Sequence, residues 1–271
     1  MSLFAGEKVY DDSNFKELVG DGTSVIANGE RRLLSRMAPP KGHNPGGYSA
    51  VWETAFKKIP RTEWDARIEE QIKLKTRISD YQRYAPMDQD GLPTCWTQGP
   101  CGAFMATRAI MNLPHIDLSG CSLAVPISGG HSGGYEGVAL KYLVEHGAVS
   151  TKYWGNNDTS KALMKNENCI KDRLNHKALE VYQCKDDFDV WATACLLSQA
   201  GAFAYDWMSH VMMTCDLVKI EGNSYGLRIR NSWGNWGAKN EAGFFGYAVY
   251  REGKGTPDSG FALRQVTASP V

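Results

Sequence analysis

Short strand-forming segments dominate the chain after residue 200, and this pattern restricts the fold more than any other feature. Residues 211–213, 217–220, 226–230 and 244–250 are rich in apolar, β-branched and aromatic side chains, and Gly, Asn and Ser residues separate them. Segments of this kind, bounded by turn-forming residues, are typical of β-strands. We therefore expect a sheet lobe in this part of the chain.

The preceding stretch has helical periodicity instead. Apolar residues at positions 103, 106, 110 and 113 share one helical face, and those at positions 138, 142 and 143 share another. Segregation of helices and strands along a chain is typical of α+β folds. We expect a helical lobe followed by the sheet lobe, with a cleft between them that can hold a functional site.

The first 84 residues differ from the rest of the chain in composition and in the spacing of apolar residues. Residues 1–50 are rich in glycine and proline, which predicts an extended N-terminal arm. Trp64, Ile68 and Ile72 recur every four residues, which predicts one short amphipathic helix over residues 61–73. We therefore divide the chain into an arm, 1–84, and a compact domain, 85–271. Because such an arm is usually disordered alone, we expect that something holds it, and neighbouring subunits of an assembly are one candidate.

Charge and cysteine content exclude several classes of partner and site. Thirty basic and thirty acidic residues cancel, so neither nucleic acid nor a membrane surface is an expected partner. The first residues lack the pattern of a secretory signal, and the seven cysteines lack the paired spacing of a zinc site. We expect a cytoplasmic, reduced protein without metal or cofactor.

Four short blocks contain the residue types that a reactive thiol requires. A thiolate needs a base that takes its proton and a third group that orients the base. The blocks are Gln89 upstream of the pair Cys95-Trp96, the pair Gly133-Gly134, His210 at the start of an apolar strand, and Asn231-Ser232-Trp233-Gly234 after an alternating strand. In this order, over roughly residues 85 to 250, they resemble the papain family of cysteine peptidases.

The resemblance implies a catalytic triad of Cys95 as nucleophile, His210 as base and Asn231 as the group that orients His210. It further implies that the side-chain amide of Gln89 and the backbone N–H of Cys95 bind the oxyanion of the reacting carbonyl. Trp233 would shield the hydrogen bond between His210 and Asn231 from water.

The resemblance also implies a substrate and a fold. The adjacent glycines Gly133 and Gly134 would let an extended peptide approach the main chain, and with Trp233 they are the predicted substrate-binding residues. The implied function is hydrolysis of peptide or isopeptide bonds in a peptide or protein substrate. The implied fold is papain-like and two-lobed, with a helical lobe, an antiparallel β-barrel-like lobe and the extended N-terminal arm.

Two local alternatives concern the candidate nucleophile and its helix. Cys101, which follows Gln98-Gly99-Pro100, is a second candidate nucleophile. We favour Cys95, because a tryptophan follows it and Gln89 stands upstream of it at the family's distance.

Pro100 has no N–H to donate, so a helix that begins near Cys95 is expected to kink or restart there.

The triad does not by itself require catalytic use. The alternative function is a papain-fold structural or interaction protein, such as a virion component, whose site is latent or unused. Residues 61–80 resemble the leader of papain-like proteins from bacteriophage genomes, so a virion is the alternative to a cytoplasmic location. Acyl transfer to an amine needs the same triad and stays open beside hydrolysis.

Overall fold

A computed structural model describes residues 3–268 of the chain. Its α-helices are α1 Trp52–Ala55, α2 Arg61–Leu74, α3 Ile78–Tyr81, α4 Cys95–Ile110, α5 Cys121–Ser128, α6 Glu136–Glu145, α7 Glu167–Arg173 and α8 Phe188–Leu196. Its strands are β1 Val9–Tyr10, β2 Ser24–Ala27, β3 Glu30–Leu33, β4 Ala50–Val51, β5 Ala178–Cys184, β6 Ala200–Tyr205, β7 His210–Glu221, β8 Ser224–Arg230, β9 Tyr247–Arg251 and β10 Ser259–Val266. Within residues 3–268, no helix is long and apolar enough to cross a membrane.

The order of helices and strands confirms the predicted α+β class. Most helices precede residue 174 and most strands follow residue 177. The two segments expected at 211–213 and 217–220 are one long strand, β7, which pairs with β8 in an antiparallel hairpin. The strand expected at 244–250 begins only at Tyr247, because Gly246 has a φ of +114° that breaks extended pairing.

The sheet is open, which corrects the expected barrel-like lobe. It has eight strands in the order β1-β9-β8-β7-β6-β10-β5-β4. The two outermost strands come from the first 84 residues, and each pairs in parallel with its neighbour, β1 with β9 and β4 with β5. These two strands form the edges of the sheet and do not pair with each other, so the sheet of the described residues is open.

Helix α4 lies across the sheet and packs on β6, β7 and β10. The helix does not restart at Pro100, since α4 runs without interruption from Cys95 to Ile110, while a kink there stays a prediction. A Cβ at Gly99 would lie 2.8 Å from Val211 Cγ1, so the glycine lets the helix lie close to β7. Nearly every residue from Cys95 to Arg108 is buried, and this packing offsets the hydrogen bond that Pro100 cannot make.

The first 84 residues are held by contacts with the rest of the same chain. The predicted amphipathic helix is present as α2, and the shorter helices α1 and α3 flank it. Near the N-terminus, Glu7 forms two hydrogen bonds of 2.7 Å with Arg228, and both side chains are fully buried. Intramolecular contacts therefore order this segment, while the division at residue 85 and the neighbouring subunits stay predictions.

Candidate active site

Cys95 is the first residue of α4 and is completely buried. Its Sγ lies 3.1 Å from the hydroxyl oxygen of Ser35, a residue of the N-terminal segment. Burial raises the pKa of the Cys95 thiol, while hydrogen bonds from Ser35 and from the backbone of Val211 act in the opposite direction. Cys95 is therefore a neutral thiol at neutral pH in this structure.

His210 and Asn231 are joined by a hydrogen bond of 2.8 Å between His210 Nε2 and Asn231 Oδ1. The backbone N–H of Ser232 also donates to Asn231 Oδ1, at 2.8 Å, and this identifies the shared atom as the amide oxygen. His210 Nε2 must then carry the proton, which leaves a lone pair on Nδ1 of the neutral ring. Burial lowers the pKa of His210 to about 4, although the bond to Asn231 opposes the shift, so the ring is neutral at pH 7.

The β7–β8 hairpin places His210 next to Asn231. His210 opens β7 directly after Ser209, whose φ of +48° turns the chain into the strand. Asn231 follows the last residue of β8, and its N–H donates to the carbonyl of Gly246 at 2.9 Å. Trp233 is buried with its ring centroid 4.9 Å from that of His210, in the position where it can shield the hydrogen bond.

Gln89 presents a side-chain amide whose orientation is also determined by its partners. Its Oε1 accepts from the hydroxyl of Ser232 at 2.9 Å. Its Nε2 donates to the carbonyl oxygens of Leu33 and Leu92, each at 3.0 Å. The amide that was predicted to bind an oxyanion therefore binds a peptide carbonyl of the N-terminal segment.

Residues 33–37, which we call the cleft strand, run across the site. The N–H of Gly134 donates to the carbonyl of Ser35 at 3.0 Å, and the N–H of Met37 donates to the carbonyl of Gly134 at 2.8 Å. The N–H of Arg36 donates to the carbonyl of Ser209 at 2.8 Å. These bonds form a parallel bridge between Arg36 and Gly134, so the chain's own backbone occupies the cleft.

The two glycines permit this close approach. A Cβ at Gly133 would lie 2.2 Å from the carbonyl oxygen of Ser35, and one at Gly134 would lie 2.4 Å from the ring of Trp96. Any side chain at position 133 would thus push the cleft strand away. In this structure the extended segment that approaches the two glycines belongs to the same chain, and their role in binding a substrate stays a prediction.

The candidate triad is assembled only in part. Among the hydrogen bonds of residues 3–268, none joins Cys95 Sγ to His210, and the buried Nδ1 of His210 has no partner. The alternative nucleophile Cys101 lies deeper along α4, with its Sγ 3.8 Å from the carbonyl of Ser119, and burial strongly raises its pKa. Cys95, and not Cys101, therefore lies beside the start of β7.

Comparison with known proteins finds likeness in structure rather than in sequence. No protein-family model matches the chain, and no curated protein matches it. Xylellain, a cysteine protease from Xylella fastidiosa, superposes with a TM-score of 0.52 at 18% identity, over 67% of this chain and 83% of xylellain. Procathepsin L 3 from the larval midgut of Tenebrio molitor gives 0.55 at 15% identity, over 92% of this chain and 78% of the other.

Procathepsin B from Trypanosoma congolense superposes with a TM-score of 0.55 at 12% identity, over 94% of this chain and 98% of the other. The chain has a papain-like fold. At these identities the likeness establishes the fold alone, which confirms the predicted fold class. In this fold Cys95 at the start of α4, Gln89 before it and His210 at the start of β7 lie along the cleft strand.

Within this papain-like fold, sequence reasoning missed the residues that the cleft strand contributes. Ser35 and Arg36 have no local pattern that marks them, because their partners in the site lie far away in the sequence. Glu136 was also missed, although an acidic residue so close behind the paired glycines was an available signal. It is fully buried at the first position of α6.

Proposed function

We propose that the chain is a papain-like cysteine peptidase, a thiol hydrolase of peptide or isopeptide bonds, held in a closed state by its cleft strand. One observation carries the proposal. A neutral His210, oriented through Nε2 by Asn231, keeps a free lone pair on Nδ1, and the next residue, Val211, forms a backbone hydrogen bond with Cys95. A base with this proton arrangement is what a thiol nucleophile requires.

The chemistry follows once the cleft strand withdraws. His210 Nδ1 takes the proton of Cys95, and the thiolate sulfur bonds to the substrate carbonyl carbon while its oxygen becomes an oxyanion. The Nε2–H of Gln89 and the N–H of Cys95, which begins α4 and has no intrahelical acceptor, donate to that oxygen. The amine leaves with the proton from His210, and water, deprotonated by His210, hydrolyses the thioester to an acid and restores the thiol.

The closed state has support of its own. The carbonyl of Leu33 already accepts from Gln89, and Ser35 already contacts Cys95, so the cleft strand occupies positions that a substrate needs. The two procathepsins align with 92% and 94% of this chain, a span that must include most of residues 1–84. We propose that this segment is an inhibitory leader, retained in the latent enzyme.

The blocked cleft also favours a second candidate, a papain-fold structural or interaction protein with an unused site. Such a protein would be a component of a virion or of another assembly with neighbouring subunits. The candidates differ in one respect, since only the peptidase gains activity when the cleft strand is loosened.

The test uses the full-length protein in reducing buffer. Arg36→Ala loosens the cleft strand, and fluorogenic peptides with and without an amine acceptor report hydrolysis and acyl transfer. We expect turnover in Arg36→Ala, retention when Cys101→Ala is added, and loss by about 10³-fold or more when Cys95→Ala is added. Absence of turnover, in a protein whose Cys95 is freely alkylated by iodoacetamide, would sink the peptidase and leave the structural protein.

A further inference from the structure

The side chain of Arg36 leaves the cleft strand and ends in a pocket formed by Tyr135, Glu136, Asp206 and Ser259, which we call the Arg36 pocket. Arg36 Nη1 pairs with Asp206, and Nη2 donates to the hydroxyl of Ser259 at 3.0 Å. Its Nε lies 3.6 Å from Glu136 Oε2, and its guanidinium carbon lies 5.7 Å from the ring centroid of Tyr135. Only 8% of the Arg36 side chain is exposed. The pocket therefore surrounds a guanidinium group with two carboxylates, a hydroxyl and an aromatic face.

Glu136 is the unusual member of this pocket, because its carboxylate is completely buried. Ser259 donates to Oε1 at 2.5 Å, while Oε2 has no hydrogen bond. Burial raises the pKa of Glu136, and the charge of Arg36 acts in the opposite direction. A buried carboxylate that loses its cation costs several kcal/mol, so the pocket needs a positive group when Arg36 leaves.

The pocket lies where a bound peptide would reach it. Tyr135 and Glu136 directly follow Gly134, whose backbone pairs with the residue on either side of Arg36. Asp206 lies in the turn before Ser209, whose carbonyl accepts from the N–H of Arg36. A peptide that replaces the cleft strand at Gly134 and Ser209 therefore places one of its side chains at the mouth of the pocket.

We propose that the Arg36 pocket selects substrates with an arginine or lysine side chain at the residue seated against Gly134, and that Glu136 is the specificity-determining residue. The inference rests on the proposed peptidase function. Arg36 is then a mimic of the substrate side chain. The planar guanidinium fits the two carboxylates and Ser259 better than an ammonium, so arginine is preferred over lysine.

The experiment compares peptide probes with a thiol-reactive electrophile that differ only in arginine or its uncharged isostere citrulline, at each of three positions before the electrophile. The protein is the full chain with Arg36→Ala, and mass spectrometry measures the rate of Cys95 labelling. At one of the three positions, the probe with arginine should label Cys95 at least about tenfold faster than the probe with citrulline. Adding Glu136→Gln should reduce this ratio to about one. The matched control Glu145→Gln, at the exposed end of the same helix, should leave the ratio unchanged.

The other outcomes separate the two proposals. Equal labelling by arginine and citrulline probes at all positions overturns the selection and leaves the peptidase standing. No labelling by any peptide probe, while iodoacetamide reaches Cys95, overturns the peptidase and the selection with it. If Glu136→Gln does not fold, Asp206→Asn combined with Ser259→Ala replaces it, and an unchanged ratio in that variant overturns the assignment of the pocket.

Discussion

The hydroxyl oxygen of Ser35 lies 3.1 Å from the sulfur of Cys95, so the candidate nucleophile is covered by its own chain. Burial of the site under this segment favours the neutral forms of Cys95 and His210. Burial raises the pKa of Cys95 and lowers the pKa of His210 to about 4, and both shifts disfavour a thiolate paired with an imidazolium. Activity should therefore depend on how firmly the cleft strand is held.

The ion pairs of Arg36 should control access to Cys95. Arg36→Ala removes the contacts with Glu136, Asp206 and Ser259, so we expect iodoacetamide to alkylate Cys95 at least about tenfold faster than in the unmodified chain. Mass spectrometry of the Cys95 peptide measures the rate. Arg31→Ala is the matched control, because the Arg31 side chain is exposed and donates to Ser24, away from the Arg36 pocket. Equal rates in the two variants would contradict the role of Arg36 in closing the cleft.

The closed state should require glycine at position 133, because any side chain there would collide with the cleft strand. A Cβ would lie 2.2 Å from the carbonyl oxygen of Ser35, so Gly133→Ala must displace the cleft strand. We expect faster exchange of the N–H groups of Arg36 and Met37 in hydrogen-exchange mass spectrometry, by about tenfold or more. Gly47→Ala is the control, since a Cβ at Gly47 meets no atom within 4 Å. Unchanged protection in Gly133→Ala would show that the strand tolerates the added methyl group.

Acid should destabilise the fold through His210. The pKa of this ring is about 4 in the folded chain, against an ordinary value of 6.5. Between these values the unfolded chain binds more protons, so the free energy of unfolding is fully retained above pH 6.5 and falls as the pH decreases towards 4. The total loss is on the order of 3 kcal/mol.

Urea denaturation at pH 7 and pH 4.5 measures this effect of His210. His210→Gln should lose less stability on acidification than the unmodified chain, by about 2 kcal/mol. His131→Gln, which alters an exposed histidine, should behave as the unmodified chain does. If all three proteins lose the same stability, His210 is not the group responsible.

The buried ion pair of Glu7 and Arg228 should make the N-terminal segment essential for stability. Glu7→Gln removes one of the two carboxylates that pair with the fully buried guanidinium of Arg228, the other being that of Asp216, so we expect the free energy of unfolding to fall by about 2 kcal/mol in urea denaturation. Glu17→Gln, in an exposed pair with Lys8, should change it by less than about 0.5 kcal/mol. Similar small effects of both substitutions would mean that Glu7 does not anchor the segment.

Much of the fold and part of the site were predictable, because the signals are local. The spacing of Trp64, Ile68 and Ile72 is enough to indicate α2, and alternation before Asn231 is enough to indicate β8. The candidate residues Cys95, His210, Asn231 and Gln89 were found through short motifs that immediately surround them. Their roles stay predictions, while bonds within residues 85–250 join His210 to Asn231 and Gln89 to Ser232.

Tertiary structure alone decided what fills the cleft, whether the sheet closes and whether Pro100 breaks its helix. Pro100 is tolerated because Gly99 lets α4 pack closely on β7, and the sheet is open because its edge strands, β1 and β4, do not pair with each other. The cleft strand is held by backbone bonds of Ser35, Arg36 and Met37 and by side-chain contacts of Ser35 and Arg36, all with distant residues. Every residue carries the same backbone groups, so such long-range bonds leave no mark in the sequence, whereas side-chain periodicity and short motifs do.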